Sequence, residues 1–472
     1  MPIVQLPLMK GNAKDRFSAD YVDYLPVNML ATPKEILDSN GYLRSFPGIQ
    51  LRTFVDGASR GVKYNTTQDA VYRVCGNRLY RAGYEVAPVS GTGRVSMAHS
   101  RVSHAVIIEG RVTQFKYDGG VSVIDNWPES SGYARYDIGS ASDIVRVRGR
   151  YIWAKKGSDS FFISDLEDET KPDRYSAEYR AESQSDGIVG LDVWRDFVVC
   201  FGTNTTEFFA LTGNSGAGAA VYVNNPAYFV PKGIAGTYCK CSFMDDFAII
   251  SHPATGSPSI YLMGSGQVKT IATATVEKIL RSYSLSELSR GVLEPLRFDS
   301  HELLMVHLPR HVLIFDASAS QNGPQWTILK TGLNDDVYRA IDFAYEGNDI
   351  SCGDKSSPYV GQVNFNLSSQ YDVPQEHLLY TPMFKADNAR VFDLELEAVT
   401  GAAQMAQKIF ISATADGVTH GEEKLLHWDK PFRYDRRVIW KRVGRIRKNI
   451  AFKIRVITNT PVTLSGCQVR VE

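Results

Sequence analysis

With 472 residues, 43% of them hydrophobic, 11% aromatic and 22% charged, the chain has the makeup of an ordinary folded protein and is neither disordered nor fibrous. Its 52 Lys and Arg balance 52 Asp and Glu, which excludes the basic field of a dedicated nucleic-acid binder, so any such role must be local. The N-terminus, MPIVQLPLMKGNAKD, has no basic region leading into an apolar core, and no run approaches the roughly 18 apolar residues of a membrane helix; the expectation is a soluble protein, made in the cytoplasm, with no membrane segment.

Residues 1–55 are broken by Pro2, Pro7, Pro26, Pro33 and Pro47 and carry only short strand signals. They read as an extended N-terminal assembly arm, with one turn of helix at Pro33 to Leu37, pinned either by the body of its own chain or by a neighbour. From 56 to 370, short apolar runs flank tight turns at Gly76-Asn77, Glu109-Gly110, Arg148-Gly149, Arg195-Asp196, Asp245-Asp246, Ser300-His301 and Gly347-Asn348. Sheet units recurring about every 40–50 residues are what propeller blades of about four strands produce. This region is therefore predicted to be a propeller-like body of six or seven antiparallel blades, with a large irregular sandwich as the alternative. The clearest unit is Ser160 to Gly213, a strand, an acidic loop and a hairpin turning at Arg195-Asp196. One helical insertion interrupts the series at Thr273 to Gly291, where Val276, Ile279 and Leu280 have helical spacing and Ser284 with Glu287 reads as a capping box.

Near residue 371 the pattern changes, with Ser368, Ser369, Asp372 and Pro374 as a boundary, and residues 371–472 read as a C-terminal β-sandwich. In Val391 to Val399, Phe392, Leu394, Leu396 and Ala398 alternate with Asp393, Glu395 and Glu397. In Ile450 to Ile457, Phe452, Ile454 and Val456 alternate with Lys453 and Arg455. If these two strands are neighbours, the acid and base rows face each other across the pair. The fold class expected is all-β.

Local chemistry is sparse. Gly57-Ala-Ser59-Arg-Gly61 matches the nucleophile elbow G-x-S-x-G, but a strand-like run follows it instead of a helix, so chance in a glycine-rich turn is the preferred reading. His301-Glu302 with His307 resembles a zinc-protease motif, yet Met305 stands where the second histidine belongs; these read as partly exposed strand residues. The glycine-rich run Gly213 to Gly218 lacks the Lys-Ser/Thr pair of a phosphate loop. Cys75, Cys200, Cys239, Cys241, Cys352 and Cys467 read as buried free thiols, with no second pair or histidine to complete a zinc set around Cys239 and Cys241. Neither a catalytic residue, a metal nor a cofactor is expected.

Two charged stretches remain as candidate contact sites. Between Lys430 and Arg455, Arg436, Arg437, Lys441, Arg442, Arg445, Arg447 and Lys448 stand among Phe432, Tyr434, Trp440 and Phe452 with one acid, Asp435. Such a cluster suits phosphate contact and stacking, or the docking of an acidic subunit surface, or merely the solvated face of half-buried strands. The loop carrying Asp165, Glu167, Asp168 and Glu169 is a candidate docking partner.

The run from Phe161 to Asn214 combines Ser164-Asp165-Leu166, Ala181-Glu182, a Gly190-Leu191 hairpin and a Phe201-Gly202 to Thr206-Glu207 return, and a glycine-introduced unit follows from Lys232 to Leu280. On these residues the chain resembles, over essentially its whole length, the packaged-DNA stabilisation (tail hub or tail accessory factor) family of short-tailed lambdoid bacteriophages infecting Salmonella. That resemblance implies a structural virion protein and no enzyme. Copies of it, six in the expected ring, would sit below the portal and its adaptor (head completion) protein and close the channel over the packaged genome. They would also carry the tail needle and tailspikes and let double-stranded DNA pass without sequence specificity at ejection. The place implied is the virion tail, after synthesis in the host cytoplasm. A carbohydrate-binding or glycoside-cleaving propeller is the alternative, although the repeated Ser-x-Asp-x-Gly-x-x-Trp boxes of some propeller hydrolases are missing.

Overall fold

The computed structural model describes residues 3–9, 11–14, 21–34, 36, 39, 41–184, 186–214, 219–253, 256–264, 266–404 and 406–472. Seven antiparallel sheets follow one another along the chain, and together they make a propeller. Their first strands are Ser59–Asn65, Met97–His99, Ala141–Val147, Gly190–Trp194, Lys240–Phe243, Val292–Phe298 and Ala340–Glu346. Each of the seven lines one axial cavity, so these are the inner strands and the remainder of each blade radiates outward. Second strands such as Ala70–Cys75 and Asp246–Ser251 are buried almost end to end, because neighbouring blades cover both faces. That is why they appear in the sequence as unbroken apolar runs without alternation.

All seven predicted turns lie in the propeller, but they are not equivalent. Gly76-Asn77 and Glu109-Gly110 join second to third strands, whereas the other five lie between first and second. The ring is closed from the N-terminal side: Gly48–Phe54 pairs with Tyr359–Asn364 as the outermost strand of blade seven, in register from Gly48 against Asn364 to Phe54 against Tyr359. The last blade is thus built from both ends of the propeller segment. The insertion between blades five and six forms helices Ala274–Arg281 and Leu285–Leu288, with Thr273 capping the first and the Ser284/Glu287 box opening the second. Val276, Leu280 and Leu288 are buried in the core shared by blades four to six.

The C-terminal part is a two-sheet sandwich. One sheet runs Met29–Thr32, Tyr42–Ser45, Thr463–Val471, Arg390–Ala398, Val438–Arg445, with Ile3–Leu6 also paired to Thr463–Val471; the other runs Gln375–Tyr380, Asn449–Thr458, Gln407–Thr414, Lys424–Asp429. Trp428, Phe452, Leu394 and Val469 fill the space between them. The two alternating strands are not neighbours and lie in opposite sheets. The acid row therefore finds its cations elsewhere: Asp393 pairs with Arg470 at 3.0 Å and Glu395 with Arg437 at 2.6 Å, while Arg455 bonds Glu423. Phe392 also departs from expectation. A bulge between Val391 and Asp393 shifts the alternation, so Asp393 is buried and Phe392 is 37% exposed.

The described residues among 1–55 are bound into both bodies of their own chain. Ile3–Leu6, Met29–Thr32 and Tyr42–Ser45 are sandwich strands, and Gly48–Phe54 is a propeller strand. The helical turn expected at Pro33 to Leu37 is not formed by its described residues: Pro33 and Lys34 belong to no element and Ile36 makes an isolated bridge to Ser39. Between these strands, Val27 bridges Leu378 of the sandwich on one side and Ile328 of blade six on the other. Pro26 O accepts from Ile328 N–H at 2.9 Å, Val27 N–H donates to Leu378 O at 2.9 Å, and Asn28 N–H donates to Ile328 O at 2.8 Å. Pro26, Val27 and Asn28 in this way hydrogen-bond blade six to one sheet of the sandwich.

The stitch carries a pH-sensitive group. His377 is buried, and its Nδ1–H donates to Asn28 O at 3.0 Å. Burial pulls its pKa down to about 4, only partly offset by that bond. The folded value lies below the unfolded one, near 6.5, so the unfolded chain takes up the proton first. The contribution is complete above about pH 6.5 and is lost as pH falls toward 4, up to about 3 kcal/mol. Urea titrations at pH 7 and pH 4.5 are expected to show a smaller loss of stability on acidification in His377→Gln than in the unmodified chain.

Candidate functional site

The axial cavity, of about 370 Å³, is ringed by charge. Asp342 sits at a bulge on the inner strand of blade seven in the left-handed region, φ +60°, and is buried. Its carboxylate accepts from Arg94 at 2.5 Å and from Ser59 Oγ at 2.7 Å, while its carbonyl accepts from Arg73 at 2.8 Å. Burial pushes this carboxyl up, but Arg94 and Arg73 overcome it and hold it below the usual range. Across the ring, Asp143 meets Lys240 at 3.1 Å and accepts from Leu191 N–H at 2.8 Å. Burial works against the Lys240 ammonium, yet Asp143 and Asp192 outweigh it and keep it above the ordinary lysine value. Glu294 accepts from the N–H groups of Asp342 and Phe343 and contacts His307 at 2.5 Å.

These bonds decide the motif questions. Ser59 is on an inner strand and donates to Asp342, so it stands on no exposed elbow. His301 and His307 were expected to be partly exposed; both are buried, because their strand is the second of its blade, and each meets a carboxylate, His301 at 2.6 Å from Asp316. All six cysteines are free and buried. The Gly213 to Gly218 run falls largely outside the described residues. Among the described residues no cluster of His, Cys, Asp and Glu is placed to hold a metal, and no helix is long and apolar enough to cross a membrane.

The acidic loop is mostly turned inward. Asp165 is buried, takes a bidentate bond from Arg174 at 2.8 and 2.9 Å, and accepts from the N–H groups of Glu167 and Asp168. Burial alone raises its pKa, but Arg174 and these amides hold it below the carboxylate range. Glu169 accepts from Ser100 and Ser103 of blade two at 2.9 and 2.7 Å. Asp173 pairs with the buried Arg150 at 2.7 Å. Glu167, with a 2.6 Å surface pair to Arg174, is exposed, and Asp168 is half-buried with its carboxylate accepting from Thr170. Asp165→Ala is expected to cost about 3 kcal/mol, whereas reversing Glu167 to Lys leaves stability within about 0.5 kcal/mol, as read by thermal melts.

The basic cluster lies along Val438–Arg445, the open edge of its sheet, and the turn into Asn449–Thr458. Arg437 is committed to Glu395 through two 2.6 Å bonds, and Arg436 donates to His427 O. Lys441, Arg442, Arg445, Arg447 and Lys448 are exposed and make no ion pair among the described residues. Phe432 and Tyr434 are 81% and 73% exposed but lie at the Thr400–Gly401 end of the sheet, away from Arg445, whereas Trp440 and Phe452 are core residues. Cations along an open edge also discourage unwanted strand addition.

Residues 4–368 match the family described as bacteriophage P22 Gp10, beta-propeller, and residues 376–472 match its beta-sandwich counterpart. The chain belongs to the bacteriophage P22 Gp10 family. The tail hub protein gp10 of Salmonella phage P22 is 64% identical over 472 residues, the whole of both chains. Among solved structures, a computationally designed protein, Ika8, is 10% identical with a TM-score of 0.37, covering 72% of this chain and 99% of that one. An exo-beta-1,3-galactanase from Phanerochaete chrysosporium is 8% identical with a TM-score of 0.28, covering 82% and 97%. At such scores neither bears on the function of a Gp10 family member.

Sequence reasoning missed the axial charges Arg94, Asp143, Lys240, Glu294 and Asp342. The signal for four of them was a single charge inside an apolar strand: Asp143 before Ile144 and Val145, Lys240 between two cysteines, Glu294 after Val292 and Leu293, Asp342 between Ile341 and Phe343. A lone charge at such a position must find a partner across the fold.

Proposed function

We propose that this chain is the tail hub of a short-tailed bacteriophage, a structural component of the virion tail. The observation that carries the reading is the 64% identity, end to end, with the P22 tail hub protein. In this reading six copies form a ring beneath the portal and its adaptor protein, close the channel over the packaged genome, and seat the tail needle and tailspikes. Double-stranded DNA passes at ejection along the axis of the ring of subunits. It does not thread the propeller of any one subunit, since that axial cavity is only about 370 Å³ and is crossed by the Arg94–Asp342 and Lys240–Asp143 pairs.

The chain has no enzymatic role in this reading. A glycoside-cleaving propeller needs two carboxyls free to act as acid and base, and Asp143, Glu294 and Asp342 are each tied to cations or backbone amides. The exposed cations Lys441, Arg442, Arg445, Arg447 and Lys448, with Arg436 and Arg437 beside them, serve as a subunit contact, and Glu167 is the outward acid of the loop available to a neighbour. The protein is made in the host cytoplasm and joins the virion there.

The test is genetic and biochemical. Particles assembled without the protein are expected to fill with DNA and then leak it; normal retention of the genome would falsify the sealing role. Native mass spectrometry on the portal–adaptor complex is expected to count six copies. A DNA titration across salt concentrations separates the two roles of the basic edge, because phosphate contacts weaken steeply as salt rises.

A further inference from the structure

A second cavity, of about 450 Å³, opens where the inner strands of blades one, six and seven begin. Its polar wall is formed by Arg94, Arg290, His307, Arg339, Lys355 and Ser356, and no carboxylate lines it. The acids that serve this wall stand behind it: Asp342 pairs with Arg94 at 2.5 Å, Glu294 with His307 at 2.5 Å and Asp354 with Arg339 at 2.8 Å, the last an ion pair in which Asp354 Oδ2 accepts no hydrogen bond among the described residues. Two cations are left over. Lys355 Nζ is shut off from solvent with no hydrogen-bond partner, and Arg290, at the exposed rim, makes no ion pair among the described residues.

Further donors are stranded beside them. Arg94 Nε and Arg339 Nε are also solvent-excluded and unbonded. Lysine and arginine can only donate, so a wall of this kind is short of acceptors, and water, which accepts but carries no charge, satisfies its hydrogen bonds without neutralising its cations. Burial holds the Lys355 ammonium down to about 8, with nearby Glu294 compensating only in part.

We propose that this cavity is an oxyanion site, taking a phosphate group against Lys355 and Arg290. A tetrahedral phosphate brings charge and acceptor oxygens together, and charge-assisted bonds of this type are the strong ones. The group could be a free ion or the phosphate of a nucleotide chain, and the chemistry recognised is the same.

Isothermal titration of the full chain with inorganic phosphate, against chloride at matched ionic strength, is expected to give one site per chain. Lys355→Met and, separately, the rim variant Arg290→Gln are each expected to weaken it about tenfold. A short single-stranded oligonucleotide forms the second arm: competition with phosphate marks a site that also accepts backbone phosphate, and no competition marks a site for the free ion. Phosphate heat no greater than chloride, or binding unchanged in both variants, overturns the proposal. Arg290 is exposed, so its variant stays informative should Lys355→Met fail to fold.

Discussion

Replacing Asp342 by alanine is expected to lower the unfolding free energy by about 3–5 kcal/mol, measured by urea denaturation. The carboxylate is 2% exposed and is the partner of Arg94 and of Ser59 Oγ, with Arg73 bonded to the carbonyl of the same residue. Removing one member of a buried ion pair leaves the other charge uncompensated, and that penalty exceeds what the pair itself contributes. A second, smaller cost comes from the backbone. Asp342 has φ +60°, which an alanine tolerates less well than Asp or Asn, by about 1–2 kcal/mol. Asp342→Gly removes the same side-chain contacts as alanine but tolerates the left-handed conformation, so the difference between these two variants estimates the backbone share. Adding Arg94→Met to Asp342→Ala is expected to recover part of the loss, since the stranded guanidinium is then gone.

Asn28→Ala is expected to cost about 3–5 kcal/mol and to uncouple the two bodies, with calorimetry resolving sandwich and propeller transitions that coincide in the unmodified chain. Asn28 Nδ2 donates to Glu376 O at 2.8 Å and Oδ1 accepts from Lys330 N–H at 2.9 Å, so one buried side chain bonds the sandwich and blade six at once. Losing it leaves two backbone groups without partners, at about 1–3 kcal/mol each. Asn28 also lies at φ +57°, so Asn28→Gly, which tolerates that conformation, is expected to be about 1 kcal/mol less damaging than Asn28→Ala. The His377 bond converges on the same residue, and acidification is therefore expected to weaken the same joint.

Much of the fold was legible. Glycine turns such as Gly76, Gly110 and Gly347, each in the left-handed region, punctuate short apolar runs in the sequence as they do in the blades. The Ser284/Glu287 capping box and the alternation of Phe452, Ile454 and Val456 are local signals, and they formed the elements expected. Phe392 was misjudged because a bulge adds a residue without changing local composition. The acidic loop was read as a surface because a charge run is usually solvated; Asp165 turns inward to Arg174 of the same loop, Asp173 to Arg150 of the same blade and Glu169 to Ser103 of the preceding blade.

By itself the sequence determined the β class, the repeating hairpin unit, the helical insertion, the sandwich and, through the run around Ser164 to Glu207, the family. These rest on periods of two or 3.6 residues and on turn chemistry, all of which act between neighbours in the chain. Only the tertiary structure decided that Gly48–Phe54 closes the ring, that Val27 and Asn28 sew blade six to the sandwich, and that Asp342 holds Arg94 beside the axis. Those contacts join residues about 250 to 350 positions apart. Their partners are selected by closure of the whole ring, so no local stretch of sequence carries them.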